Sequence, residues 1–175
     1  MNKVICSCFG MLFLLLAAAC AKLPVQDCSS KTQGPLKELA LNESDTIKVC
    51  AVEPLNPSGI LVKKGYSYNL HVIPADQTWT DGPKLKPFTA DGRTDLNVIL
   101  LQPYIKMPFK SWFALLGSID NKRCTYFKIG VQHNNYQPKK NGELICFAND
   151  AGGFNGYWYR HNNQGQLTLV ITRVK

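Results

Sequence analysis

Apolar and polar residues alternate at the period of a β-strand along much of this chain. Tyr66, Tyr68, Leu70 and Val72 are interleaved with Ser67, Asn69 and His71, and Leu167, Leu169 and Ile171 with Thr168, Val170 and Thr172. Side chains on a strand point to opposite faces in turn, so this pattern predicts strands with one face toward a core. Ile47–Val52 is rich in β-branched residues, and Trp112–Ile119 and Cys124–Ile129 flank the polar turn Asp120-Asn121-Lys122. Leu144–Ala148 is apolar on both faces, the pattern of a central strand covered on both sides. Asp81-Gly82-Pro83, Asp91-Gly92 and Asn141-Gly142 separate these runs as turns. About eight short strands at such spacings predict one all-β domain, an antiparallel β-sandwich or jelly roll. Leu36–Leu41 reads as a helical turn or two. The proline-bearing stretch from Thr78 to Lys110, with a possible strand at Leu96–Leu101, reads as loops that cover an end of the sandwich or build a binding rim.

The first residues follow a different rule. Lys3 gives a cationic head, Met11–Ala19 is an apolar run, and small residues close it. The run is shorter than the ~20 apolar residues a spanning helix needs. Leu16-Ala17-Ala18-Ala19-Cys20 resembles a bacterial lipobox. That resemblance implies that Cys20 carries a diacylglyceryl or palmitoyl anchor, and Ala21 behind it implies sorting to the outer membrane, on its periplasmic face or at the cell surface. Ordinary signal cleavage after an A-x-A sequence is the alternative. The expected organisation is a signal peptide at 1–19, a lipidated N-terminus and tether at 20–45, and the sandwich at 46–175. A coil of about 25 residues spans ~25–30 Å.

Of seven cysteines, Cys6 and Cys8 would leave with the signal and Cys20 would take lipid. Cys28, Cys50, Cys124 and Cys146 remain, an even set that predicts disulfides in an exported chain. Of the three possible pairings, Cys28–Cys50 with Cys124–Cys146 is preferred, because each pair flanks neighbouring segments. Each bridge would contribute roughly 3 kcal/mol by loop entropy. A zinc site lacks a CxxC pair. The formal charge of +8, one unit of which leaves with Lys3, favours anionic partners, including acidic glycans. Lysines and arginines are dispersed rather than gathered among aromatics, which argues against nucleic acid.

Catalytic signatures are missing: the sequence has no GxSxG, HExxH, P-loop or GxGxxG motif, and His71, His133 and His161 form no pair at metal-ligand spacing. The chain reads as a binding protein rather than an enzyme. In Gly142-Glu143-Leu144-Ile145-Cys146-Phe147-Ala148-Asn149-Asp150, followed by a loop and Asn162-Asn163-Gln164-Gly165, it resembles the LecA-type galactose-binding lectins, jelly-roll domains in which a strand ending in Asn-Asp leads through a loop to an NN-x-G turn and a last strand. Ala114–Ile119 and Phe127–Gly130 resemble two further strands of that family.

The resemblance implies a calcium ion held by Asp150, Asn162 and Asn163, with sugar hydroxyls completing its shell. A tyrosine carbonyl that also serves in the lectins has its nearest counterpart at Trp79. The loop from Ala151 to His161 is longer than the lectin's, Arg160 and His161 stand directly before the asparagines, and the lectin's sugar-holding His and Gln have no counterpart at 91–110. Asn149, Trp158, Tyr159, Arg160 and His161 are the further candidate ligand-binding residues, aromatic rings being platforms for the apolar faces of sugars. Two readings stay open: a membrane-anchored glycan-binding lipoprotein, and a structural or protein-interaction lipoprotein that kept the fold and lost the sugar site.

Overall fold

In the computed structural model the described residues are 34–94, 102–151 and 156–175. Signal peptide, Cys20, Cys28 and Leu96–Leu101 lie outside them. The fold is an all-β sandwich. One sheet has five strands in the order β1 (Lys37–Glu38), β3 (Asn56–Val62), β10 (Gly142–Ala148), β7 (Leu115–Ile119) and β8 (Phe127–Lys128). The other runs β6 (Phe88–Thr89), β5 (Thr78–Asp81), β11 (Asn163–Arg173), β4 (Tyr68–Val72) and β9 (Gln132–Tyr136), with β2 (Ser44–Cys50) also on β11.

Pairing is antiparallel throughout except between β1 and β3. The alternation in the sequence faces the way it predicts. Tyr68, Leu70 and Val72 of β4 and Leu167, Leu169 and Ile171 of β11 point into the core between the sheets, where they meet Ile60, Val62, Trp79, Phe113, Leu144 and Cys146. Full burial of one such side chain is worth ~1.5–3 kcal/mol. The doubly apolar run Leu144–Ala148 is β10, at the centre of its sheet. Leu144, Cys146 and Ala148 face the main core, while Ile145 and Phe147 join Leu116 in a second cluster covered by Leu55, Met107 and Tyr126.

Several local expectations are corrected. Lys37–Glu38 is a strand parallel to β3 rather than a helical turn, with Leu39 beside it 1% exposed. Strand residues therefore occur already within the stretch read as tether. Of Trp112–Ile119 only Leu115–Ile119 is strand, because Phe113 adopts φ 60° and turns the chain beforehand. Cys124 lies in a 3-10 turn, Arg123–Thr125, before a strand of two residues.

The Cys124–Cys146 disulfide is not formed, and both thiols are free. Cys146 points into the inter-sheet core from mid-β10, opposite Gly117, whereas Cys124 is exposed beyond the far end of β7. Cys28–Cys50 reaches outside the described residues; Cys50 itself is disulfide-bonded.

Candidate functional site

β10 and β11 bring the two sequence motifs together at one end of the sandwich. Asp150 follows β10 and Asn163 opens β11; they are 2% and 3% exposed. The Asn163 amide nitrogen donates to Asp150 Oδ2 at 2.9 Å and to the Ala51 carbonyl at 3.1 Å. The backbone N–H of Ala151 donates to Asp150 Oδ1 at 2.6 Å.

A second acidic group joins them, one that lies in neither sequence motif. Asp81 ends β5 directly opposite Asn163 in the ladder. Its Oδ1 accepts from the Asn162 amide nitrogen at 2.5 Å and its Oδ2 from the Trp112 indole N–H at 2.7 Å. The available signal was weak: Asp81 stands two residues after Trp79, the position that the lectin resemblance placed near the ion. Trp79 itself is core, 1% exposed, with its indole N–H on the Phe113 carbonyl and its ring edge-on to Phe113.

Gly165 explains why β5 can lie so close. It adopts φ +95°, and a Cβ there would meet Trp79 Cα at 2.8 Å. The glycine of Asn162-Asn163-Gln164-Gly165 thus permits the β5–β11 approach that delivers Asp81 to Asn163.

The electrostatics are those of a crowded acidic site. Burial, then the nearby charge of Asp81, pushes Asp150 up to about 7, against the pull of Asn163, Ala151 and Lys106. Burial also raises Asp81, which the Trp112 hydrogen bond and Arg93 partly offset. Meanwhile the side-chain oxygens of Asn162 and Asn163 are buried and accept no hydrogen bond. A buried acceptor left unsatisfied costs ~1–3 kcal/mol. Two such oxygens beside two carboxylates form a donor set suited to a hard, oxygen-seeking cation. Among the described residues no three His, Cys, Asp or Glu side chains gather in a metal-binding group. A cation here would therefore depend on the asparagine oxygens.

The other candidates are sorted by burial. Asn149 is fully buried and acts as a clamp: its amide accepts from Met107 N–H at 2.9 Å and donates to the carbonyls of Met107 and Ser111 at 3.1 and 3.0 Å, holding the 107–111 segment. Residues 157–159, which could have continued as strand, instead open the short helix α1 (Tyr157–Asn162). Tyr159 points inward from it, 0% exposed, and donates to the Ala148 carbonyl at 2.7 Å, so it is core rather than a sugar platform. Arg160 and His161 are exposed, and the His161 ring stacks on Tyr157, centroids 3.8 Å apart. Trp158 lies in α1, and its side chain is outside the description.

The cation acting on Asp150 is Lys106. Its ammonium donates to the Pro54 carbonyl at 2.5 Å and lies over the rings of Phe147 and Tyr159, 4.2 and 4.7 Å from their centroids. Burial lowers its pKa to about 8.

No protein-family model matches this chain, and no curated protein does. Among solved structures it is similar to the N-terminal domain of EclA, described as a PllA-like lectin, with a TM-score of 0.51 at 15% identity over 73% of this chain and 94% of that one. At this identity the likeness establishes fold alone: the chain is a β-sandwich similar to that lectin domain.

Proposed function

We propose that this chain is a membrane-tethered, non-catalytic carbohydrate-binding protein whose sugar site is built on a calcium ion held by Asp81, Asp150, Asn162 and Asn163. The observation that carries this reading is the pair of buried, unsatisfied asparagine oxygens beside the buried carboxylate of Asp150 and the half-buried one of Asp81. Calcium takes six to eight oxygens, and when bound it would offer its remaining places to a pair of sugar hydroxyls. Asp81 and Asp150 supply the negative charge; Asn162 and Asn163 supply neutral oxygens from the start of β11. The resemblance of Asn149-Asp150 and Asn162-Asn163-Gln164-Gly165 to the LecA-type lectins and the lectin sandwich fold support the same assignment.

A glycan array on the full chain, with calcium and with chelator, tests it. Calcium-dependent binding to a defined glycan, lost in Asp150→Asn, is expected; no glycan signal in either buffer would sink the proposal. The lipobox resemblance supplies the location, with Cys20 as the lipid attachment and the outer membrane as the destination. Cys20→Ser should move the protein from the membrane fraction to the soluble one.

A second reading rests on Lys106. Its charge acts on Asp150 and supplies part of what a bound cation would provide. With the lectin's sugar-holding His and Gln absent, this favours a sandwich that kept the fold and turned to protein partners.

A further inference from the structure

Beside the candidate cation site, on the outer side of the β10 sheet, lies an open cleft of about 340 Å³ lined by Pro103, Tyr104, Ile105, Lys106, Arg123 and Tyr126. Among the described residues, two cations line it and no carboxylate does. Arg123 is exposed, in the 3-10 turn after β7. Lys106 approaches from the opposite segment, which an isolated pairing of Ile105 with Ala151 fixes to the sandwich. The Lys106 ammonium carries three N–H groups. Its hydrogen bond is to the Pro54 carbonyl, and the faces of Phe147 and Tyr159 supply the rest of its described surroundings. Asp150 acts on it electrostatically but is 2% exposed and does not line the cleft.

A half-buried lysine and an exposed arginine lining one cleft attract an anion, and the guanidinium fork matches a carboxylate. The aromatic walls add a second requirement. Tyr104 is 70% exposed, and with Tyr126 it gives the cleft phenol rings of the kind that pack on the apolar faces of a pyranose.

We infer that the Tyr104–Lys106–Arg123–Tyr126 cleft is a binding subsite for an acidic sugar residue, its carboxylate between Lys106 and Arg123 and its ring against the tyrosines. This shares the carbohydrate reading of the protein but needs no cation at Asp81 and Asp150. The net basic charge of the chain favours the approach of such anionic glycans.

The test is a titration of the full chain, in chelator, with glucuronate, glucose, acetate and inorganic phosphate in parallel, followed by backbone and side-chain NMR shifts. Glucuronate should perturb Tyr104, Arg123 and Tyr126 and bind more tightly than the other three. Arg123→Ala, at an exposed position, should weaken it by about tenfold with no change in fold, and Lys106→Met should weaken it as well.

Acetate or glucose binding as tightly as glucuronate would remove the acidic-sugar assignment, and tighter binding of phosphate would reassign the cleft to phosphate. Binding unaffected by Arg123→Ala, or no binding at all, would overturn the subsite. A response that requires calcium and disappears in Asp150→Asn would belong to the cation site instead, so the two proposals fail separately.

Discussion

Asn163 donates to the buried carboxylate of Asp150 across 2.9 Å while its own side-chain oxygen, equally buried, accepts nothing. One amide is thus half satisfied, in a protein interior where half-satisfied polar groups are costly. The same holds for Asn162, whose nitrogen is spent on Asp81. Both oxygens belong to the site where two carboxylates repel each other.

Calcium should therefore stabilise the fold. Saturation to a hundredfold above the dissociation constant adds about 2.7 kcal/mol, visible as a rise in melting temperature over the chelated protein. Asp81→Asn should reduce that rise as Asp150→Asn does. A rise that survives both substitutions would place the cation elsewhere.

Without a cation, stability should depend on pH through Asp150. Its folded pKa, near 7, lies above the ordinary carboxylate value of 3.8. Between these values the folded state holds a proton that the unfolded chain has lost, so stability falls as pH rises through this window and levels off above about 7. Urea midpoints in chelator across pH 4–8 should show the decline, and Asp150→Asn should flatten it. A curve for Asp150→Asn identical to that of the unsubstituted protein would refute the assignment.

Gly165→Ala should destabilise the fold. The substitution places a Cβ 2.8 Å from Trp79 Cα in a backbone conformation with φ +95°. Strain of this kind costs about 1–3 kcal/mol before the steric overlap is added. Calcium stabilisation should shrink in parallel, since β5 must retreat and take Asp81 with it. Equal calcium stabilisation in the variant would separate the strand contact from the site.

The two free thiols should behave oppositely toward an alkylating reagent. Cys124 is exposed and should react in the native protein, whereas Cys146 is fully buried, with its thiol pKa pushed up by burial, and should react only after unfolding. Peptide mapping by mass spectrometry of native and denatured samples reads the added group at Cys124 and at Cys146 separately. Failure of both to react without a reductant would restore the disulfide that the sequence suggested.

Strand existence was legible because burial on one face imposes alternation, as in β4 and β11, and burial on both imposes an apolar run, as in β10. What escaped was set by contacts distant in sequence. Lys37–Glu38 has no strand pattern of its own and is ordered by pairing with Ile60 and Leu61. Phe113 ends a run that reads as strand because its backbone turns through φ 60°. At the site, Asp150, Asn162 and Asn163 were readable from their motifs, but Asp81 lies 69 residues before Asp150 and reaches it only through the β5–β11 ladder. The aromatic crowding at 157–159 misled for the opposite reason: a helix of six residues turns Tyr159 into the core.

β11 bears on how the chain comes to be folded at all. It pairs with β5, β2 and β4 along its length, and every other strand of its sheet precedes it in the chain. The β5–β6 and β4–β9 pairs can form earlier, but they and β2 cannot join into one sheet until residues 163–173 have been synthesised. Such late, long-range closure slows folding, so the sheet stays incomplete while the ribosome works. That delay would suit the proposed export, in which a polypeptide crosses a translocation channel as an open thread before it takes shape.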